Sequence, residues 1–288
     1  RVGTYGIRDA IVTGSAPLGE TFRVGGSVAT FNQDGFGDNL YLPGMENYNK
    51  DISAARASAE WLPGEDWFIR LAADWQQDDS DLRRGHRVLV GGYSGAPVLD
   101  DVYDTRAGNL VPVADAEASG VSLLVEWAAN DRVSYRGIFA SREDETWKPT
   151  DLDSLPTVDV DVSTWDRNEQ DTAELQVLFS SGPWSGVAGL FLLDAGAATR
   201  LEVLLGTTGE LIGRPGLNNQ LVSHVGTRNW AVFADLSYAF NDHWTGSLGG
   251  RHTHDERSVD ILRQILVGGL SSFYGGSGVV ASRSVAIS

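Results

Sequence analysis

Apolar and polar residues alternate with period two over most of the chain, the signature of half-buried β-strands. In Trp67–Gln76 one face carries Trp67, Ile69, Leu71, Ala73 and Trp75, and the other Arg70, Asp74 and Gln76. Ala55, Ala57, Ala59 and Trp61 oppose Arg56, Ser58 and Glu60. Val121, Leu123, Val125 and Trp127 oppose Ser122 and Glu126. Val232, Ala234, Leu236, Tyr238 and Phe240 share a face, with Asp235 and Ser237 between them. Helical spacing does not compete in these windows. The pattern predicts about eleven strands. Two precede Pro17; the others lie near 22–32, 52–61, 67–77, 119–129, 133–142, 171–180, 186–193, 229–240 and 244–254.

The connections sort into two kinds. Tight turns are expected at 17–21, 63–66, 130–132, 181–183 and 241–243, and long polar segments at 33–50, 78–118, 143–170 and 194–228. Short and long alternate strictly. In an up-and-down sheet this places every tight turn at one end and every long loop at the other, as in transmembrane barrels with short periplasmic turns and long external loops. A soluble sandwich has no reason to sort its loops so. Trp61, Trp67, Trp127, Trp184, Phe240 and Trp244 flank the short turns, where an aromatic girdle would meet the membrane interface. The apolar residues of 201–225 fit a loop poorly and suggest an extra hairpin or short helix there.

Composition narrows the classes. Of 288 residues, 39 are acidic and 22 basic, a formal net charge of −17 that opposes nucleic-acid binding. Cysteine is absent, which excludes disulfide frameworks, thiolate metal sites and cysteine nucleophiles. No apolar run reaches the ~20 residues of a membrane helix, whereas a membrane strand needs only about 9–11, half of them polar. Arg1–Tyr5 reads as the middle of a strand rather than a signal peptide, so the chain is expected to be cut from a larger protein.

Arg8–Leu18 followed by Arg23–Ser27 resembles the first barrel strands of TonB-dependent receptors, and Asp34–Asn39 their first external loop. Trp230–Phe240 with Leu248–Glu256 resembles a strand pair near the barrel's midpoint. The likeness runs to about Arg257, with His252 where the pattern has an aromatic. The resemblance implies an all-β fold: an antiparallel up-and-down transmembrane β-barrel of roughly 22 strands closed by an N-terminal plug. This chain would supply an incomplete barrel, about half of the strands, over 1–288, with the plug, the TonB box and the C-terminal strands absent. The stretch Val285–Ser288 looks loop-like. Half a barrel has two open edges that lipid cannot satisfy. The resemblance further implies a Gram-negative outer-membrane location, contact with lipid and lipopolysaccharide, coupling to the TonB complex through the missing N-terminal region, and uptake of a scarce nutrient such as a ferric siderophore. It implies no enzymatic activity and no resident cofactor. The alternatives are a plug-less porin and a soluble secreted carbohydrate-binding β-protein.

Several residue groups invite chemistry. Arg83, Arg84, His86 and Arg87 form a basic cluster in the longest loop, suited to an anionic ligand because guanidinium groups grip carboxylates bidentately. Asp151, Asp153, Asp159, Asp161 and Asp166 crowd one loop and could chelate calcium, but no twelve-residue calcium-loop pattern is present and a solvated acidic loop is the preferred reading. His252 and His254, beside Asp255, could hold a metal but read better as rim residues. Arg56, Glu60, Arg70, Asp74, Glu126, Arg136 and Glu174 fall on polar faces, to pair across the lumen or grip a plug. Gly91-Gly92 lacks the strand–turn–helix setting of a phosphate loop, and Gly92–Ala96 lacks a nucleophile-elbow glycine.

Overall fold

The computed structural model describes residues 1–81, 84–108 and 115–287. Eleven antiparallel strands pair strictly with their neighbours: β1 (Arg8–Pro17), β2 (Phe22–Gln33), β5 (Lys50–Trp61), β6 (Trp67–Asp78), β7 (Asp115–Asn130), β8 (Val133–Asp151), β9 (Asp161–Ser181), β10 (Trp184–Leu204), β11 (Asn218–Asn241), β12 (Trp244–Val267) and β13 (Val279–Ile287). A separate hairpin of β3 (Gly37–Asp38) and β4 (Glu46–Asn47) lies between β2 and β5, and one six-residue helix, α1 (Gly206–Leu211), between β10 and β11. The sheet is not closed, as an incomplete barrel requires.

The count of eleven holds, but its makeup differs. A single strand precedes Pro17, because residues 1–7 turn back through positive φ at Tyr5 and Gly6. The missing strand is recovered at the other end, where Val279–Ile287, whose last residues from Val285 on were expected to be loop-like, pairs with β12. Much of the expected loops 143–170 and 194–228 is strand. Those extensions rise above the apolar band, where neither face needs apolar residues, so the period-two signal disappears while backbone pairing continues. The suspicion about 201–225 is met by α1.

One face of the sheet is apolar throughout. Register carries it from strand to strand: Ile69, Val125, Gly137, Leu175, Leu190 and Val232 lie in one row. Many of its large residues are exposed, among them Leu71, Leu175, Leu190, Leu192 and Val232. A sandwich would cover such a face; a single-layer sheet that leaves it bare has the patterning of membrane barrel walls. At the tight-turn end the face closes in an aromatic belt. Trp67 stacks on Trp127 at 5.4 Å, Trp127 on Tyr135 at 5.4 Å, and Trp184 meets Tyr238 at 4.5 Å. On this face of β6 the next aromatic is Trp75, and on β11 Trp230 stands as far from Tyr238. Each interval covers roughly 27 Å of strand, about 23 Å at a tilt of about 30°, close to the ~25 Å apolar height of outer-membrane barrels.

The belt also reveals the tilt. The row through Trp67 reaches β11 at Ala234, yet the lower boundary there is Tyr238, four residues nearer the turn. An offset of ~13 Å across five inter-strand steps of ~4.8 Å is a slope of about 30°, near the tilt that barrel closure demands. The opposite, polar face carries charge pairs: Arg136–Glu126 at 2.6 Å, Arg142–Asp74 at 2.7 Å, and Arg23 and Arg70 on either side of Glu60 at 3.9 and 4.0 Å. Gln176 donates to Glu174 at 2.6 Å. All are part-exposed, as in a wet lumen, and such pairs add little stability.

Candidate functional site

Among the described residues, nearly every enclosed side chain lies at the long-connection end. The wall has no core of its own, and the packing is in the loops. The first loop cluster joins connection 34–49, the described part of 79–114, and the β8–β9 tip. Phe36 stacks on Tyr48 at 4.8 Å and meets Tyr103 at 5.1 Å and Tyr5 at 5.5 Å. Asn39 donates to the Ala107 carbonyl at 2.8 Å. Asn47 accepts from the Arg84 amide at 2.9 Å and donates to the Tyr103 carbonyl at 3.1 Å. These short polar side chains satisfy loop backbone groups that would otherwise be buried unpaired.

Beneath this cluster sits the acidic group. Asp151 and Asp161 are register partners at the ends of β8 and β9, and Asp153 heads the connection folded over them. One Asp151 oxygen accepts the amides of Asp153 (3.1 Å) and Ser154 (2.6 Å), and the other accepts that of Gly108 (3.0 Å). Asp153 accepts the amides of Leu155 (2.8 Å), Asp159 (2.6 Å) and Val160 (2.7 Å). Ser154, held at φ 58, a region few non-glycine residues enter, donates to the Gly85 carbonyl at 2.7 Å. Asp161 Oδ1 is buried and has no hydrogen-bond partner. Oxygens of Asp151, Asp153 and Asp161 lie within 4.8 Å of one another. Burial, then the neighbouring Asp151 and Asp153, pushes the Asp161 carboxyl up to about 7. Burial and Asp153 push Asp151 up to about 6, and burial raises Asp153. All three stand beyond the apolar band. The bland reading of a solvated acidic loop therefore fails for these three residues. Asp166 is instead on β9, accepting from Thr199 at 2.8 Å, and Asp159 accepts from Thr207 at the start of α1.

The basic cluster is drawn into the same place. Arg84 is enclosed, at 4% exposure, and feels Asp151, Asp81 and Asp161; its own burial lowers its pKa. Arg87 donates to the Asp153 carbonyl at 2.7 Å, and His86 is half-buried. Arg83 lies outside the described residues. His252 and His254 are on the apolar face, 5.7 and 5.8 Å from the Trp230 ring. Among the described residues the one metal-capable acidic or histidine group is the aspartate triad.

A second cluster, unanticipated in the sequence, centres on Glu202 in the extension of β10 above the band. Its carboxylate is fully buried. It accepts from Asn218 (2.9 Å), Gln220 (2.8 Å), Ser271 (2.5 Å), and both the amide (2.7 Å) and hydroxyl (2.6 Å) of Ser272. Burial alone would raise its pKa, but the donors, Ser271 first, outweigh it and hold the group below the usual range. The knot clamps connection 268–278 onto β10 and β11. Tyr274 bonds Ser163 on β9, which ties this connection to the acidic cluster's strand. Only a lone glutamate in an apolar stretch marks this site in the sequence.

No family model and no curated protein matches the chain. Solved structures do. The ferric yersiniabactin uptake receptor FyuA from Yersinia pestis aligns over 100% of this chain and 42% of its own, with a TM-score of 0.64 at 15% identity. The ferric-catecholate import receptor Fiu from E. coli K12, in its closed form, aligns over 100% and 45%, with a TM-score of 0.55 at 12% identity. In fold, the chain matches a stretch of the β-barrel wall of these two receptors, as the sequence resemblance implied. It spans less than half the length of either receptor.

Proposed function

We propose that the chain is part of the wall and external mouth of a TonB-dependent outer-membrane transporter that takes up a ferric siderophore or a similar iron chelate. The observation that carries this reading is the match of the whole chain to two iron-chelate receptors. The lipid-height apolar band between aromatic belts and the packed loop layer on one side only support it. The band would contact outer-membrane lipid and lipopolysaccharide, and TonB coupling would come through a segment outside this chain. Connection 79–114, with Arg83, Arg84, His86 and Arg87, is assigned to anion capture. Arg84 and Arg87 are engaged within the layer, so a chelate would reach them as the layer opens.

The test is uptake of labelled ferric siderophores by cells whose only receptor is the protein carrying this chain, with and without TonB. Uptake that vanishes without TonB supports the reading. Uptake that persists, or ion conductance through the purified protein in planar bilayers, replaces it with a passive porin. Arg87→Ala is expected to weaken chelate binding several-fold, and unchanged binding removes the basic segment from the mouth.

A further inference from the structure

We propose that Asp151, Asp153 and Asp161 form a calcium site that clips the β8–β9 tip to the connection carrying Arg84 and Gly108. Three carboxylate oxygens lie within 4.8 Å of one another, the spread that ligands ~2.3–2.6 Å from one ion can span. Asp161 is 7% exposed, and its Oδ1 has no partner. An unpaired buried carboxylate oxygen is costly enough to need a proton or a cation. The amides bound to Asp151 and Asp153 fix those two carboxylates in place and leave lone pairs on Asp151 Oδ2 and Asp153 Oδ1 for an ion. The three carboxylates and neighbouring Asp159, set against the guanidiniums of Arg84 and Arg87, leave two negative charges, which a divalent cation neutralises.

The donor set selects the ion. It consists of hard oxygens, without imidazole or thiolate, which disfavours zinc, copper and nickel. Magnesium demands near-octahedral ligands at ~2.0–2.1 Å and gives up water reluctantly, whereas calcium accepts six to eight oxygens in flexible geometry. Carbonyls of the 152–160 connection and water would complete the shell. The site would join two segments distant in sequence, the β8–β9 tip that carries all three aspartates and the connection whose Gly108 amide binds Asp151. It does not depend on what the receptor carries.

The test uses the full protein in detergent micelles, stripped with a chelator and titrated calorimetrically with calcium chloride and, separately, magnesium chloride. One calcium per chain is expected, with at least tenfold preference over magnesium and protection of connection 79–114 from limited proteolysis. Asp161→Asn should abolish both. It should also raise thermal stability in chelator, since it removes the unpaired charge, and lower it relative to wild type in calcium. This crossover separates ion binding from a merely structural aspartate. Asp153→Asn serves as the second variant if the first does not fold. No calcium heat, equal magnesium affinity, or the same effect of Asp161→Asn in chelator and in calcium would overturn the site.

Discussion

Replacing Glu202 by glutamine keeps the size of the side chain and removes the charge that organises the polar knot. The carboxylate accepts five hydrogen bonds with no exposure to solvent. Glutamine retains one acceptor oxygen and turns an NH2 group either toward the donors of Asn218 and Ser271 or toward those of Gln220 and Ser272. Hydrogen bonds to a charged group contribute roughly 1.5–3 kcal/mol each, and a buried donor left unpaired costs a further ~1–3 kcal/mol. The serine hydroxyls can rotate to other acceptors, so the net cost is about 3–5 kcal/mol rather than the sum. The loss should be local. Connection 268–278 detaches while the strand ladders below it persist. Amide hydrogen exchange at Gly268 and Ser271, whose amides bond within this connection and to Pro215, should accelerate by roughly 10²–10³-fold, each tenfold being 1.4 kcal/mol. Amides in the β10–β11 ladder near Leu190 should be unaffected. An acceleration below tenfold would refute the idea that Glu202 holds the connection. A uniform acceleration across the strands would show instead that the knot supports the whole wall.

Other consequences can be checked alongside. In chelator, the loop layer should be more stable at pH 5.5 than at pH 8. Folded Asp161 and Asp151 hold protons up to about 7 and 6, so the folded state binds more protons than the unfolded state and stability falls as pH rises through that window. Proteolysis rates at the two pH values test the sign. The Glu202 knot should behave oppositely: its depressed pKa contributes stability above the ordinary carboxylate range, lost as pH falls below it, visible as a smaller protection factor at Ser271, after correction for the intrinsic exchange rate, near pH 3.5 than at pH 6. Leu190→Arg places a charge on the apolar face and should cost ~2–4 kcal/mol in bilayer unfolding titrations. Ser122→Arg, on the opposite face, should cost far less; equal costs would invalidate the assignment of lipid and lumen. Trp127→Ala, which removes the middle ring of the Trp67–Trp127–Tyr135 stack, should destabilise by roughly 1–3 kcal/mol, partly through the two ring pairs.

The wall was legible in the sequence because the bare apolar face imposes a rule on every strand that carries it. Between Trp67 and Trp75 an apolar residue appears at each second position, and the alternation can be read directly. Where the apolar band ends the rule ends, so 161–170 and 218–228 read as loops although they are ladder-bonded strand. The girdle was equally readable, since tryptophans flanking tight turns have few other uses. The loop chemistry was not. Asp151 and Asp161 are brought face to face by register, Gly108 reaches Asp151 from another connection, and Arg84 meets them only after the 79–114 segment folds back. No local pattern encodes such meetings. Glu202 is a single glutamate whose five donors come from two strands and a loop.

Strand lengths climb along the sheet. β2, β5 and β6 have 12 residues, β7 has 16, β9 and β10 have 21, and β11 and β12 have 24. Since all the tight turns share one boundary, the added length of β11 and β12 over β2 projects past the ends of the short strands, by roughly 34 Å at ~3.3 Å per residue and a tilt of about 30°. The outer margin of this sheet is therefore oblique rather than level. Its low side is the one from which connections 34–49 and 79–114 depart, and the described part of the second folds onto the taller β8–β9 tip through the Gly108–Asp151 bond, so the irregular chain fills the step that the ladder leaves.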